Sequence, residues 1–565
     1  MNVAVTQVDT QVNAHVEEPV GDLVARALAD AGVTHAFGVI SIHNMPILDA
    51  IHRQGRITFV PARSEAGALN MADAYARVSC GLGVAITSTG TAAGNACGSQ
   101  VEALTAGSPV LHITSQIDTP YMDRDRAAIH DVPRQFDMLK AVSKSVFRIW
   151  EARGAVPTLQ AAMSAALSAP SGPVSVEIPV DVQRMSAPVP SFIAAPAIAL
   201  VEPRADALDT LANLVRSARR PMLWLGGGAR SASREASELV RRGFCVVTST
   251  QGRASVPETD PRSLGAFNMT PQAQDVFDAC DLMIVVGSRL RGNETRNNML
   301  RLGKPLVQID ADASQGGRNY PVDLFIHADA QRALAGLLER LPEKLDADAT
   351  FAERVSKARA AGEEGLRATL GPYLIIADVM RDRVLTGALP FVRDVTISNS
   401  TFGNRYVLLA EPRLGVHALG GGIGQGVAMA LGAATAEPGK RTLAMVGDGG
   451  AQLNLGEFAT AVDQQAPIVF VLMNDQAYGV ISNIQDAQYE GRRVYCRLTT
   501  PNFELFARSI GLAHERVSRI DDFAAALNRG LAATGPCMIE VDMNAIGPFA
   551  APFGGPPAGA AGGAR

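Results

Sequence analysis

Two apolar segments of this chain break off at residues that could hold a metal ion. Residues 442–446 end at the turn GDGG (447–450), and residues 467–473 end at Asn474. Glycines that follow a parallel strand let free N–H groups approach a phosphate, but the carboxylate of Asp448 would repel a bare phosphate. Mg²⁺ takes about six oxygen ligands and often shares several with phosphates. The two segments therefore predict a magnesium ion, held by Asp448 and Asn474, that binds a diphosphate. A helix cap at Asp448 and a simple turn at Asn474 are the alternative.

The elements around these residues predict an α/β fold with three domains, each built on a mostly parallel sheet flanked by helices. Apolar stretches of strand length alternate with helical periodicity along most of the 565 residues, which is typical of such sheets. Proline and alanine dominate residues 186–203, which we interpret as a linker. The predicted order is a mobile N-terminal lead (1–18), a first domain (19–185), the linker (186–203), a second domain (204–345), a helical linker (346–375), a third domain (376–543) and a C-terminal tail (544–565).

The first and third domains show a weak internal similarity. LGVAITSTGTAAGN…SPVLHITSQ, which begins at residue 82, parallels TLAMVGDGGAQLN…APIVFVLMND, which begins at residue 442. Each stretch combines a strand, a glycine-containing turn, a helix and a second strand. We therefore predict that the two domains share one fold.

Composition argues against several classes of partner and location. The formal net charge is −5 and the basic residues form no long run, which argues against nucleic acid. The six cysteines are scattered without a CxxC pair, so we expect neither a disulfide framework nor a zinc site. The start of the chain lacks a cationic segment followed by an apolar block, and the most apolar window (419–434) is rich in glycine. We therefore expect no signal peptide, no membrane partner and a cytoplasmic location.

The GDG turn and Asn474 resemble the GDG…NN signature of thiamine diphosphate enzymes. The first Asn of that signature is Met473 here, and the metal-binding second Asn is Asn474. The resemblance implies that Asp448, Asn474 and the backbone carbonyl of Gln476 bind Mg²⁺. The residues that it places around the diphosphate are Gly447, Asp448, Gly449, Gly450 and Asn474.

Three further segments carry the same resemblance. VPARSEAGALNMADAYAR (60–77) is similar to the segment with the cofactor-activating glutamate, which implies that role for Glu65, although Ser64 stands where the family has histidine. HALGGGIGQGVAMALGAA (417–434) is similar to the segment that bends thiamine into a V shape. There the wedge side chain is Ile423, and the carbonyl of Gly421 accepts the aminopyrimidine N–H. TISNSTFGN (396–404) falls where the family contacts the diphosphate, through Asn399 and Ser400.

The match covers residues 19–543 and resembles the branch of acetolactate synthases and 2-oxo acid decarboxylases. It implies that Glu65 hydrogen-bonds the pyrimidine and that a 2-oxo acid reacts through a C2 ylid and an enamine. Acetolactate synthase-like carboligation is our first expectation and simple decarboxylation the second. Cleavage of a 2-hydroxyacyl-CoA, or a benzaldehyde lyase-like reaction, is the third. An NAD-dependent dehydrogenase would leave Glu65, Asp448 and Asn474 without a role, and a non-catalytic homologue would have lost one of them.

The substrate side of the site departs from the family pattern. In GVISIHNM (38–45), Ile40 replaces the usual proline, and Ile42 and His43 fall where family members contact substrate. AAIHDVPRQFDMLKAVSK (127–144) resembles a loop whose polar residue, here His130, reaches the active site. Glu490 in QYEGRR (488–493) could border the same pocket. His43 is a candidate for proton transfer, with a structural histidine as the alternative, and His130 is a candidate catalytic residue that reaches the site from its loop.

Two further expectations concern nucleotide binding by the second domain and the assembly of the chain into oligomers. LGGGAR (225–230) is too short a glycine motif to establish a dinucleotide site. Family members sometimes hold FAD, ADP or acyl-CoA there, and Arg289, Arg291 and Arg296 could meet a phosphate or lie solvated at the surface. The resemblance also implies a homodimer or homotetramer with active sites between subunits. The tail (544–565) could cover the mouth of the site as a lid.

Overall fold

The computed structural model describes residues 16–555, which form three α/β units, each with its own sheet of parallel strands. The α/β fold class with three domains, expected from the sequence, is confirmed. None of the helices between residues 16 and 555 combines the length and apolarity that crossing a membrane requires.

The first unit is built on a six-stranded parallel sheet. The strands of the unit, two of which lie outside this sheet, are β1 (Glu17–Pro19), β2 (His35–Gly38), β3 (Thr58–Pro61), β4 (Gly83–Thr87), β5 (Val110–Gln116), β6 (Ser145–Arg148), β7 (Val174–Pro179) and β8 (Ser186–Pro188). Its helices are α1 (Val20–Asp30), α2 (Met45–Gln54), α3 (Glu65–Ser79), α4 (Thr91–Ala106), α5 (Gln135–Val142), α6 (Ala155–Leu167) and α7 (Val180–Arg184). The sheet order is β3-β2-β4-β5-β7-β6, while β1 and β8 pair separately. Helices cover both faces, which is why β4 is a continuous buried run and does not alternate.

The second unit has a five-stranded parallel sheet in the middle of the chain. Its strands are β9 (Pro221–Leu225), β10 (Cys245–Thr248), β11 (Leu282–Val286), β12 (Leu306–Asp310) and β13 (Leu324–His327), in the order β10-β9-β11-β12-β13. Its helices are α8 (Ala205–Ser217), α9 (Ser233–Arg242), α10 (Pro271–Ala279) and α11 (Ala330–Leu338), and α12 (Ala349–Leu370) leads to the third unit.

The third unit repeats the sheet of the first. Its strands are β14 (Phe391–Arg393), β15 (Gly415–His417), β16 (Thr442–Gly447), β17 (Ile468–Asn474), β18 (Ala513–Val517) and β19 (Cys537–Asp542). Its helices are α13 (Leu374–Thr386), α14 (Gly426–Ala436), α15 (Asp448–Ala451), α16 (Glu457–Asp463), α17 (Gly479–Gln488), α18 (Phe503–Ile510), α19 (Phe523–Ala532) and α20 (Met543–Ile546). The order β15-β14-β16-β17-β19-β18 matches the first sheet strand for strand. The internal similarity of the sequence thus reflects a shared fold.

The first and third units pack through α3 and α14. Residues of both helices, including Met71 and Leu431, belong to one hydrophobic core. A Cβ atom added at Gly432 would lie 2.0 Å from the backbone carbonyl oxygen of Met71. The absence of a side chain at this position therefore lets the two helices approach closely.

Three segments differ from the expected organisation. β1 and β8 pair antiparallel, so residues 17–18 of the predicted lead and 186–188 of the predicted linker form a small sheet. Three-residue strands carry too little periodicity to be found in a sequence. The helix α13 begins at Leu374, inside the predicted helical linker.

Part of the C-terminal tail is also packed. Phe549 is buried and its ring stacks on Tyr373, with 4.2 Å between ring centroids. Two aromatic residues, Phe549 and Phe553, in a stretch of glycine, proline and alanine give no pattern from which this contact could be foreseen. Residues 1–15 of the lead and 556–565 of the tail lie outside the described residues.

Candidate functional site

The two apolar segments, residues 442–446 and 467–473, end side by side in the third sheet. β16 and β17 are parallel neighbours, with Gly447 opposite Met473 in the register. Because parallel neighbours end at the same edge, Asp448 and Asn474 follow at adjacent positions. The backbone N–H of Asp475 lies 3.4 Å from Oδ1 of Asp448, which places the two turns in contact.

Asp448 is a buried carboxylate with no ion-pair partner among the described residues. Its side chain is buried, and Oδ2 has no hydrogen-bond partner among the described residues. Burial and the neighbouring carboxylate of Asp475 raise the pKa of Asp448 to about 7. A cation at this place would stabilise both negative charges, so the residues present fit a bound metal ion.

A hydrogen bond to Glu540 fixes the orientation of the Asn474 side-chain amide. Its Nδ2 donates to Oε1 of Glu540 on the neighbouring strand at 2.8 Å, and Oε2 of Glu540 lies 2.9 Å from Nε2 of His514. Burial opposes ionisation of Glu540, but the hydrogen bonds from His514 and Asn474 outweigh it, and its pKa is lowered. An ionised carboxylate only accepts hydrogen bonds, so Asn474 must turn its NH₂ group toward Glu540, and its Oδ1 accepts the backbone N–H of Gln476 at 3.3 Å.

Gln476, the third predicted metal ligand, lies on the turn after β17. Its backbone is left-handed, with a φ of 55°, and its carbonyl accepts a hydrogen bond from the amide of Leu498 at 3.0 Å. A carbonyl oxygen has two lone pairs, so this bond leaves room for a metal ion. Carboxylate, amide and carbonyl oxygens together form a hard donor set that suits Mg²⁺.

The glycines of the GDGG turn pack closely against neighbouring side chains. A Cβ atom at Gly449 would lie 2.9 Å from the ring of Tyr478, and one at Gly450 would lie 2.8 Å from Oδ2 of Asp394. A Cβ atom at Gly447 would be 3.2 Å from Thr396. Only glycine fits the first two places without displacement.

Asn399 and Ser400 lie in a short π-helical turn beside this edge of the sheet. The turn spans Asn399–Gly403, and such turns are frequent at functional sites. Asn399 is buried and its Oδ1 has no hydrogen-bond partner among the described residues, whereas Ser400 is half-buried. An unpartnered buried amide is a free polar group at the place predicted for diphosphate contact.

The residues predicted to bend thiamine form an exposed loop that we call the wedge segment (421–423). Gly421 has a φ of +80°, and Ile423 is 38% exposed, which is high for a large apolar side chain. The next residue, Gly424, donates its backbone N–H to both oxygens of Asp394 at 3.1 and 3.0 Å. Burial raises the pKa of Asp394 to about 6, against the effect of several backbone N–H donors.

Glu65 is the first residue of α3 and is half-buried. Nδ2 of Asn95 donates to its Oε2 at 3.2 Å. Ser64, which replaces the family's histidine, caps the helix by accepting the N–H of Gly67 at 2.9 Å. The backbone N–H of Ser64 also donates to Glu457 of the third unit at 3.0 Å.

The structure does not bring all predicted residues together within one chain. Among residues 16–555, no hydrogen bond or ion pair joins Glu65 to the wedge segment, to Asp448 or to Asn474. Glu490 is a surface residue, with its side chain 83% exposed and paired with Arg492.

The two candidate histidines meet at the same edge of the first sheet as Glu65, because His43 follows β2 and Glu65 follows its parallel neighbour β3. The rings of His43 and His130 are edge to face, with 5.1 Å between centroids. His43 is buried, and its Nδ1 has no partner among the described residues. Burial lowers the pKa of His43, and the nearby His130 adds to the effect. Ile40 and Ile42 flank the pair and are 62% and 60% exposed.

Two of the three arginines considered for phosphate binding contact backbone carbonyls, one in the first unit and one in the second, whereas Arg289 is exposed. Arg291 donates to the carbonyl of Thr105 at 2.6 Å, and Arg296 donates to that of Met269. The glycine turn after β9 is also bonded internally, since the N–H of Gly228 donates to the carbonyl of Gly287 at 3.0 Å. Arg291 and Arg296 thus differ from the solvated surface arginines of the alternative expectation.

Comparison with known proteins identifies the family. Three models of the thiamine pyrophosphate enzymes match in chain order: the N-terminal TPP binding domain over residues 19–138, the central domain over 208–337 and the C-terminal TPP binding domain over 397–541. Thiamine pyrophosphate is another name for thiamine diphosphate. The chain therefore belongs to the thiamine pyrophosphate enzymes, and the three domains expected from the resemblance are confirmed.

Relatives extend over nearly the whole chain. A probable 2-ketoarginine decarboxylase of Pseudomonas aeruginosa is 29% identical over 531 residues, which cover 92% of this chain and 93% of the relative. The acetolactate synthase large subunit of Haemophilus influenzae is 27% identical over 93% of this chain and 94% of its own. Acetolactate synthase 1 of Oryza sativa subsp. japonica is 26% identical over 92% and 84%. Family and relatives together identify a thiamine diphosphate-dependent enzyme of the decarboxylase and carboligase group.

Sequence reasoning missed the residues that support the site. Glu540 lies 66 positions after Asn474, and Asp394 lies 30 positions before Gly424. Neither belongs to a motif together with the residue it holds. Strand order would have been the signal for Glu540, because β19 is the neighbour of β17.

Proposed function

We propose that this enzyme binds thiamine diphosphate through Mg²⁺, decarboxylates a 2-oxo acid and joins the remaining acyl unit to a second carbonyl compound, as acetolactate synthases do. The observation that carries the proposal is the unpartnered buried oxygen of Asp448 beside the oriented amide oxygen of Asn474. The acetolactate synthase relatives support the choice of reaction.

Different residues of the chain would have different roles in this reaction. Thiamine diphosphate, when bound, supplies a carbon nucleophile and an electron sink. Asp448, Asn474 and the carbonyl of Gln476 hold the metal ion that neutralises the diphosphate. Glu65 would hydrogen-bond the pyrimidine ring, and Ile423 would contact the cofactor as the wedge side chain. The protein's contribution is therefore orientation and charge.

Release of the acyl unit as an aldehyde is a second candidate, and the histidine pair favours it. A buried imidazole with a lowered pKa holds its lone pair free near neutral pH and can pass a proton between solvent and substrate. His43, whose Nδ1 has no partner among the described residues, and His130, whose ring centroid lies 5.1 Å away, would supply the two imidazoles of such a relay. The relative named as a probable 2-ketoarginine decarboxylase is consistent with this outcome.

We further propose that the active site is shared between two copies of the chain. Exposed apolar side chains lie at each half of the site, namely Ile40 and Ile42 in the first unit and Ile423 and Leu453 in the third. Covering them in a homodimer, or in a homotetramer made of two such dimers, would bring Glu65 of one copy to the wedge segment of the other. The cytoplasmic location expected from the sequence stays a prediction.

The test is release of CO₂ by the purified protein with thiamine diphosphate and Mg²⁺, across pyruvate and longer, branched, aromatic and guanidino 2-oxo acids. Ketol products would support carboligation, and aldehydes would favour the second candidate. Omission of Mg²⁺ is expected to abolish release. Cofactor binding without release from any acid would refute the 2-oxo acid proposal.

Glu65→Gln tests the assignment of the catalytic carboxylate. We expect the variant to bind thiamine diphosphate but to lose most deuterium exchange at C2 of the cofactor. Glu490→Gln is the matched control, because that carboxylate is at the surface. Exchange at the wild-type rate in Glu65→Gln would remove Glu65 from the mechanism.

A further inference from the structure

A buried carboxylate of the first unit holds the backbone that leads into the wedge segment. Glu102, on α4, is 1% exposed. Its Oε1 accepts the backbone N–H of Leu419 at 2.7 Å, and its Oε2 accepts that of Gly420 at 2.6 Å. These are the two residues before Gly421, and the partner carboxylate belongs to a different unit from the segment that it holds.

A second buried side chain keeps Glu102 in place. Arg77, on α3, donates to Oε1 of Glu102 at 2.9 Å and to the carbonyl of His417 at 2.8 Å. Asp73 accepts Nε of Arg77 at 2.9 Å but makes no hydrogen bond to residues 417–424 in the described structure. Paired charges and hydrogen bonds compensate the burial of all three side chains.

The wedge segment is therefore held at both ends by carboxylates. Glu102 holds the N–H groups of Leu419 and Gly420 before it, and Asp394 holds that of Gly424 after it. Four residues span at most about 14 Å, so fixing both ends restricts where Ile423 can lie. Between these anchors, Gly421 has open space around it and Ile423 is partly exposed.

We propose that Glu102 is a positioning residue for catalysis, which sets the wedge segment from the first unit of the same chain. The inference rests on the proposed role of the wedge segment in bending the cofactor. If that role holds, a shift of the first unit against the third moves Ile423 and changes how closely the two rings of the cofactor approach.

The test measures deuterium exchange at C2 of bound thiamine diphosphate, with cofactor and Mg²⁺ at saturation so that weaker binding does not interfere. In Glu102→Gln, an NH₂ group must face one backbone N–H, which leaves one donor unpaired. Losing a charge-assisted bond of this kind corresponds to a change of roughly 10- to 100-fold, and we expect exchange to slow by that factor. The control is Asp73→Asn, which alters the same ion cluster but leaves both backbone bonds of Glu102 in place.

A second variant keeps the charge cluster intact. A Cβ atom at Gly420 would lie 2.8 Å from Oε2 of Glu102, so Gly420→Ala pushes the backbone off the carboxylate without removing it. We expect slower exchange here too, even if Glu102→Gln fails to fold. The melting temperature and the cofactor dissociation constant of each variant separate a general loss of stability from misplacement.

The outcomes separate this inference from the proposed function. Slow exchange in Glu102→Gln, Gly420→Ala and Ile423→Ala, with Asp73→Asn close to wild type, supports the proposal. Exchange as fast in Glu102→Gln and Gly420→Ala as in Asp73→Asn would overturn it, even where Ile423→Ala is slow. Wild-type exchange in Ile423→Ala would instead show that the wedge segment does not bend the cofactor, and both proposals for this segment would fall.

Discussion

Replacing Glu540 by glutamine should weaken metal binding without touching any proposed metal ligand. Glu540 is 2% exposed and accepts the amide of Asn474 at 2.8 Å. In the wild type its two oxygens only accept, so the amide of Asn474 has one orientation. The glutamine offers an acceptor and a donor, so the amide of Asn474 can be bound in either orientation.

The expected size of the effect comes from the hydrogen bond that Asn474 donates to Glu540. A hydrogen bond to an ionised carboxylate is about twice as strong as one between neutral groups, and its net worth is about 1.5–3 kcal/mol. Replacing Glu540 by the isosteric amide removes about half of this worth and should therefore cost about 0.8–1.5 kcal/mol in the orientation of Asn474. This corresponds to roughly tenfold weaker Mg²⁺ binding, at the lower end of what partners of metal ligands contribute.

The assay is calorimetric titration of the protein with thiamine diphosphate at a series of Mg²⁺ concentrations. The Mg²⁺ concentration for half-saturation should rise about tenfold in Glu540→Gln. Glu515→Gln is the control, because Glu515 lies on the adjacent β18 and pairs with Arg529. An unchanged Mg²⁺ requirement in Glu540→Gln, or an equal rise in Glu515→Gln, would refute the argument from amide orientation.

Three further predictions concern other parts of the fold. His112 is fully buried and its pKa is lowered to about 4, so its contribution to stability is present above pH 6.5 and is lost as pH falls toward 4. Between pH 7 and pH 5, the free energy of unfolding should therefore fall by about 2 kcal/mol less in His112→Gln than in the wild type. Equal decreases in the two proteins would contradict this. Gly449→Ala should weaken cofactor binding at least about tenfold by overpacking, whereas Gly439→Ala, with open space around it, should not. Phe549→Ala removes a buried stacked ring and should cost about 3–5 kcal/mol in unfolding free energy, and an unchanged melting temperature would show that the tail does not contribute to stability.

The sequence predicted the fold most accurately where strands are long and buried. β16 and β17 were foreseen because each is a continuous apolar run that ends at a polar turn. The small sheet of β1 and β8 was missed because each strand has three residues and its pairing is set by tertiary contact. Phe549 was missed for a related reason, since two phenylalanines among glycine, proline and alanine do not predict a packed element.

The residues of the candidate site also differ in how well the sequence predicts them. Asp448, Asn474 and Glu65 could be proposed because each lies in a short motif whose residue types match a cofactor group. Glu490 could not be judged from the sequence, because its exposure depends on how the loop after α17 folds.

The supporting residues follow a rule that applies beyond single motifs. Glu102, Asp394 and Glu540 are all buried carboxylates that accept N–H groups, and each fixes a residue on another element. A carboxylate is suited to this role because it has no donor and cannot satisfy a reversed partner. Such a residue can lie on any neighbouring strand or helix, so its distance in sequence from the group that it orients is arbitrary. Such a residue lies outside the motif from which the cofactor is predicted. The fold topology is therefore needed to find it.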